Sequence, residues 1–264
     1  MTRARQLSYL LWSVLAAGCG DDDDSVGHLP DAPMAPVTVP AIDLGAVPAL
    51  STTCGQEPPA PVDVLVTNIG SADLVISDVT ATGGFAVTAT LPLTIGVGAH
   101  ATISVRAPAA VIGTDRGGGT KLGTLTITSN AVGTPTRFVE LNATVIGANL
   151  VFTDEADQLI THTLGFSGDS ATCPAPKSVR LRNTGNLPIV VSMPSPASGF
   201  AFGGFSGGTI EAGAFENQVV EVSTGFDCQG SAVIEYEVTG TVCDLAIVTL
   251  PVEFNISGRS DCSC

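Results

Sequence analysis

Residues 68–99 read NIGSADLVISDVTATGGFAVTATLPLTIGVGA, and residues 183–214 read NTGNLPIVVSMPSPASGFAFGGFSGGTIEAGA. With Asn68 placed over Asn183, the two stretches align without a gap at a constant offset of 115 residues. Three landmarks recur: the N-x-G turn (Asn68 and Gly70; Asn183 and Gly185), the Gly-Phe pair (Gly84 and Phe85; Gly199 and Phe200), and T-I-x-x-G-A from Thr94 and Thr209. Upstream, Leu44-Gly45 followed by Cys54 parallels Leu164-Gly165 followed by Cys173. A repeat of this length is too long for a solenoid unit and marks two copies of one domain.

Within each copy the apolar residues alternate with period two, as half-buried strands require. VDVLV puts Val62, Val64 and Val66 on one face, TISVRA pairs Ile103 with Val105, TLTITS pairs Leu125 with Ile127, and IEYEV pairs Ile234, Tyr236 and Val238. Gly, Pro, Asn or Ser bounds every run. Only 13% of residues are charged, while Val, Thr, Ala and Gly dominate, a composition of short strands and glycine-containing turns rather than of helices. The expected fold is all-β: two tandem immunoglobulin-like β-sandwiches over residues 41–147 and 148–258, each of about seven strands, with a closed barrel as the alternative.

The landmark set runs from L-G, through a strand into N-x-G, to G-F, T-I-x-x-G and a late G-x-L-x-I-x-S-N from Gly123 to Asn130. This set resembles the bacterial choice-of-anchor D and ASPM-SPD-2-hydin group of immunoglobulin-like domains. The first copy carries the pattern from Ile42 to Gly147; the second keeps it from Leu164 to Gly213 and then departs, with SAVIEYEVTG in place of the late strand. These are turn and core positions, so the resemblance implies a fold and not an activity. It also implies a secreted or cell-surface setting.

The N-terminus points the same way. Arg3 and Arg5 precede an apolar run from Leu7 to Ala17 that is too short to span a bilayer as a mature helix, which is the pattern of a secretory signal over residues 1–18. Ala16, Ala17 and Gly18 before Cys19 resemble a bacterial lipobox, which implies diacylglyceryl attachment to the Cys19 thiol and a membrane partner through that lipid. Ala16 stands where the usual large apolar residue belongs, and ordinary cleavage near Ala17 is the alternative. GDDDDSVGHLPDAPMAPVTVP then reads as a disordered acidic and Pro-rich tether over 19–40. By resemblance to the sorting rule of enteric bacteria, Gly20 directs the chain to the outer membrane, with its periplasmic or surface face left open.

If Cys19 carries lipid, six of the seven cysteines remain, and disulfides are the default in an exported chain. Strands that alternate in direction put Cys173, Cys228, Cys262 and Cys264 at one end of the second sandwich and Cys243 at the other. Cys54 lies at the end of the first sandwich that must face Cys243. The expected pairing is therefore Cys54 with Cys243 across the domains, and two distal bridges among Cys173, Cys228 and the pair Cys262 and Cys264 in the tail, 259–264. A metal site on the C-S-C tail lacks paired C-x-x-C spacing and a nearby histidine.

No catalytic constellation stands out. GFSGG around Ser206 has the letters of a nucleophile elbow, but that turn needs a preceding strand and a following helix. His28, His100 and His162 lack a neighbouring nucleophile, and Asp154, Glu155 and Asp157 form a short acidic patch in the interdomain segment, read as a solvated connector with cation binding as the alternative. There is no phosphate-cradling G-K-S or G-K-T, so no cofactor is expected. A net charge of -15 argues against nucleic acid. The expectation is a non-enzymatic binding, adhesion or scaffolding lipoprotein meeting a protein or polysaccharide of the envelope. The alternatives are a structural subunit of a larger envelope assembly and a secreted hydrolase using Ser206. Phe200, Phe202 and Phe205 in GFAFGGFSGG are the candidate partner contacts, the alternative being that they pack in the core.

Overall fold

In the first repeat, buried apolar residues of the longer strands fall at every second position, so each presents one dry face to the facing sheet. The computed structural model of the chain describes residues 38–169, 173–195, 197–223 and 228–257. The signal segment, Cys19, most of the tether, Cys262 and Cys264 lie outside them. Every regular element among the described residues is a strand.

The first repeat contains β1 (Ile42–Leu44), β2 (Leu50–Thr53), β3 (Val62–Asn68), β4 (Leu74–Ala81), β5 (Ala86–Thr88), β6 (Leu93–Ile95), β7 (His100–Arg106), β8 (Thr120–Ser129) and β9 (Thr136–Ile146). These form two sheets, ordered β1-β3-β7-β5 and β2-β9-β8-β4-β6. Val64, Val66, Ile103 and Val105 of one sheet and Leu125, Ile127 and Leu141 of the other are fully buried against each other. Each such side chain contributes about 1.5–3 kcal/mol on leaving water.

The second repeat contains β10 (Leu150–Thr153), β11 (Leu164–Gly168), β12 (Lys177–Asn183), β13 (Ile189–Val191), β14 (Phe200–Gly204), β15 (Gly208–Ile210), β16 (Phe215–Val222), β17 (Gln229–Thr239) and β18 (Ile247–Ile256). Its sheets, β10-β12-β16-β14 and β11-β18-β17-β13-β15, reproduce the first pair strand for strand. Ile234 and Tyr236 are fully buried in its core, where the tyrosine ring lies 5.4 Å from Phe152. The fold is thus a pair of immunoglobulin-like sandwiches rather than closed barrels.

Each sandwich has nine described strands, where alternation alone predicts about seven. The first strand is broken in two: β1 pairs antiparallel with β3, the chain turns through Gly45 to Pro48, and β2 pairs parallel with β9 in the other sheet. Proline has no N–H to give a ladder, so the strand changes partner there. β5 and β6 form a second pair of short strands, three residues each and each on a different sheet.

The repeated asparagine explains the first landmark. Asn68 is fully buried. Its Nδ2 donates to the carbonyls of Ala72 (2.8 Å) and Ile95 (2.9 Å), and its Oδ1 accepts from the N–H of Gly70 (2.9 Å). Asn183 makes the same three bonds at the same offset, to Leu187 (2.7 Å), Ile210 (3.0 Å) and from Gly185 (3.0 Å). Because the asparagine sits on one sheet and Ile95 or Ile210 on the other, the amide ties the sandwich together while satisfying both of its donors.

Candidate functional site

The first sandwich ends at Ile146 and the second begins at Leu150, so the joint is only a few residues long. Its backbone groups need partners, and small or amide side chains supply them. Asn186 Nδ2 donates to Val145 O (3.0 Å), its Oδ1 accepts from Gly147 N (2.9 Å), and its own N–H donates to Gly147 O (2.9 Å). Asn149 exchanges a pair of bonds with the backbone of Gly117, at 3.2 and 3.3 Å, and its N–H donates to Asn183 Oδ1 (3.3 Å). Ala148 N donates to Thr241 O, and Cys243 N donates to Ala148 O. Gly113 N of the first sandwich donates to Cys243 O (2.7 Å).

At the centre of this lattice Cys54 is bonded to Cys243, with 5.1 Å between their α-carbons, inside the relaxed range for a disulfide. The two sulfurs are buried with Ala110 and Val145. A Cβ on Gly147 would lie 2.5 Å from Cys243 Sγ and 3.3 Å from Cys54 Sγ, so only glycine lets the chain pass the bridge. The expected interdomain disulfide is present, 189 residues apart in sequence. Cys173 and Cys228 are also disulfide-bonded.

Electrostatics at the joint centre on Asp244. Its carboxylate accepts from Leu150 N (2.7 Å). Burial pushes the carboxyl above its ordinary value, against the opposing pull of that N–H and of the Arg116 charge. Nearby on the first sandwich, Asp115 accepts from Val111 N and pairs with Lys121 at 2.8 Å. Burial works to raise Asp115, but the Lys121 and Val111 bonds outweigh it and the carboxyl is held below its usual range.

Several sequence expectations are corrected here. Asp154, Glu155 and Asp157 are not an interdomain connector: they form a turn inside the second sandwich after β10, where Asp154 Oδ1 accepts from the N–H groups of Ala156 and Gln158. Asp157 accepts from Arg180 (2.9 Å) and Arg182 (2.8 Å). The Arg180 hydrogen bond, with the charges of both arginines, holds its carboxyl low. Its negative charge is therefore already neutralised by protein. Phe200 is a core residue, 7% exposed, with ring centroids 5.9 Å from Phe166 and 5.6 Å from Phe254. Phe202 and Phe205 are half-buried and pack one side against the same core, so of the three phenylalanines it is Phe200, in the Gly-Phe landmark, that is a core packing position. Ser206 is exposed between β14 and β15, a strand-turn-strand setting that lacks the helix of a nucleophile elbow. Among the described residues no group of three or more His, Cys, Asp or Glu side chains could hold a metal ion. No helix of the described residues is long and apolar enough to cross a membrane.

The residues that build the joint, Gly117, Gly147, Asn149 and Asn186, were not singled out from sequence. The signals were present as RGGGT at 116–120 and IGAN at 146–149, but one glycine among 30 carries no message until its neighbours are known.

No protein-family model matches the chain, and no curated protein matches it. Solved structures give distant likenesses. A protein of unknown function from Porphyromonas gingivalis W83 is 10% identical, with 81% of this chain and 99% of that one covered at a TM-score of 0.32. The periplasmic chaperone SfaE is 9% identical, with 82% and 100% covered at 0.29. Protocadherin Gamma B2 extracellular cadherin domains 1-5 are 11% identical, with 85% and 41% covered at 0.40. None of these likenesses bears on what the chain does.

Proposed function

We propose that the chain is a non-enzymatic lipoprotein of the bacterial envelope, anchored through Cys19 and serving as a binding or scaffolding module in which two sandwiches are locked into one body. The observation that carries this reading is the disulfide between Cys54 and Cys243. Such bonds persist in oxidising compartments, which supports export. A covalent tie buried in a joint already saturated with hydrogen bonds fixes how the second sandwich is held relative to the first, and that is useful to a protein that displays a surface rather than one that turns over a substrate.

The structural-subunit alternative needs a long open strand edge. The eight edge strands of the described residues are three to five residues long, a length that blunts strand addition; β2 covers only Ala143–Ile146 of β9, so Thr136–Asn142 is the open edge at which that alternative would act. The test of the anchor is mass spectrometry of the N-terminal peptide of protein extracted from its native membrane. A mature chain starting at diacylglyceryl-modified Cys19 is expected; an unmodified terminus near Ala17 makes the protein freely secreted and overturns the anchored reading.

A further inference from the structure

β8 and β9 are the long strands of the first sandwich, at 10 and 11 residues. Leu125, Ile127, Leu141 and Ala143 turn inward with no exposure, so the alternate residues face out. Register places Thr126 opposite Phe138, Thr124 opposite Glu140 and Leu122 opposite Asn142. On the next strand Thr80 sits beside Thr126. The outcome is a field of hydroxyl, amide and carboxylate groups around one aromatic ring, with the exposed Leu122 at one end.

The fold leaves that ring uncovered. Phe138 is 70% exposed, more than any other large apolar side chain described. Phe85, Phe152, Phe166, Phe200 and Phe254 are buried, Phe202 and Phe205 pack against the core, and Phe215 carries the Arg180 guanidinium 4.6 Å from its centroid. The matching face of the second sandwich, on β17 and β18, points Glu235, Glu237 and Glu253 outward and no aromatic, so the fold does not require one there.

We infer that the outer face of β8 and β9 binds an extended, neutral polysaccharide, with Phe138 as its stacking platform; this rests on the envelope-module reading above and names its ligand class. A pyranose ring presents a face of polarised C–H groups that suits the negative face of an aromatic ring. Its rim of hydroxyls needs groups that both donate and accept, which threonine hydroxyls and the Asn142 amide provide, and an acceptor such as Glu140. Phe138 and Asn142 are four residues apart on β9, about 13 Å at the rise of a strand, a span for consecutive sugars on an open face rather than a small molecule in a pocket. The carboxylate of Glu140 disfavours anionic polymers; of the nearby cations Lys121 is engaged by Asp115 at 2.8 Å, and Arg137, one residue from Phe138, alternates to the other side of β9. A protein partner would want a contiguous apolar centre, whereas the two exposed apolar side chains of this face, Phe138 and Leu122, are separated in register by the Thr124 and Glu140 pair.

The test is affinity gel electrophoresis of the full chain, in detergent, through gels cast with soluble mixed-linkage β-glucan, dextran or galactomannan. The parent is expected to be retarded by at least one of them. Phe138→Ala should weaken that retardation about tenfold without lowering the melting temperature, and Phe138→Tyr should retain it. Unchanged mobility of the parent in all three gels, or equal retardation of Phe138→Ala, overturns the inference. So does sedimentation showing a concentration-dependent dimer that Phe138→Ala abolishes, because a second copy would then own the face. Retardation of a chain with an unmodified N-terminus keeps the polysaccharide surface and sinks only the anchor, whereas a lipidated chain that no gel retards sinks only the surface.

Discussion

The side chain of Asn68 donates a 2.9 Å hydrogen bond to the carbonyl of Ile95, joining the two sheets of the first sandwich through a fully buried amide. Asn183 repeats the bond to Ile210 in the second. Removing the amide takes a partner from the carbonyls of Ala72 and Ile95 and from the Gly70 N–H, the Ile95 bond being buried and the other two partly so. Asn68→Ala should therefore cost about 3 kcal/mol in urea denaturation. Asn68→Asp should cost a similar amount, because a carboxylate cannot donate to Ala72 and Ile95. An aspartate variant as stable as the parent would show that the donors are dispensable.

The joint makes a separate prediction. Replacing both Cys54 and Cys243 with serine should lower stability by about 3 kcal/mol, since the bridge closes a long loop in the unfolded chain. Gly147→Ala attacks the same bond sterically by placing a methyl against both sulfurs. Thiol titration of the folded variant should find free Cys54 and Cys243, whereas the parent should show neither.

The distal cysteines are checked by a non-reducing peptide map. Cys173 and Cys228 are disulfide-bonded. The expected partners are the tail cysteines Cys262 and Cys264, so both peptides should migrate with the C-terminal one until reductant is added. Free thiols on that terminal peptide would remove the pairing.

Asp244 sets a pH dependence. Burial raises its carboxyl above the ordinary 3.8, so the folded chain holds that proton more tightly than the unfolded chain does. The stability this contributes is fully present below the unfolded value and is lost as pH rises through the folded one. Asp244→Asn keeps an acceptor for Leu150 N–H without the charge. It should be at least as stable as the parent at neutral pH, with the difference shrinking in acid; denaturation at several pH values reads this directly.

Tyr236 is fully buried, and its hydroxyl has no hydrogen-bond partner among the described residues. Tyr236→Phe preserves the ring contact with Phe152 and removes the cost of an unpaired hydroxyl. Thermal or chemical denaturation should show a gain of up to about 1 kcal/mol. A clear loss would mean that the hydroxyl is bonded in solution.

Much of this was legible in the linear sequence because it follows from local chemistry. Alternation in VDVLV and TLTITS specifies strands and their dry faces, since a strand's side chains can only point two ways. The register of the repeat is equally visible: Asn68 and Asn183 recur at the same offset as Ile95 and Ile210, so one set of bonds is encoded twice. Even the pairing of Cys54 with Cys243 follows from counting strand directions, because each strand reverses the end of the sandwich at which the next loop lies.

What tertiary structure alone decided is which outward or inward position matters. Phe200 and Phe138 are both phenylalanines on strands, yet one is 7% and the other 70% exposed, because glycine turns and a facing sheet bring Phe166 and Phe254 onto the first, while the second stands on an outer face. Gly147 and Asn186 become a joint only when residues far apart in sequence meet around one disulfide. Periodicity reports the environment of a strand's own two faces; it carries no information about what another domain places against them.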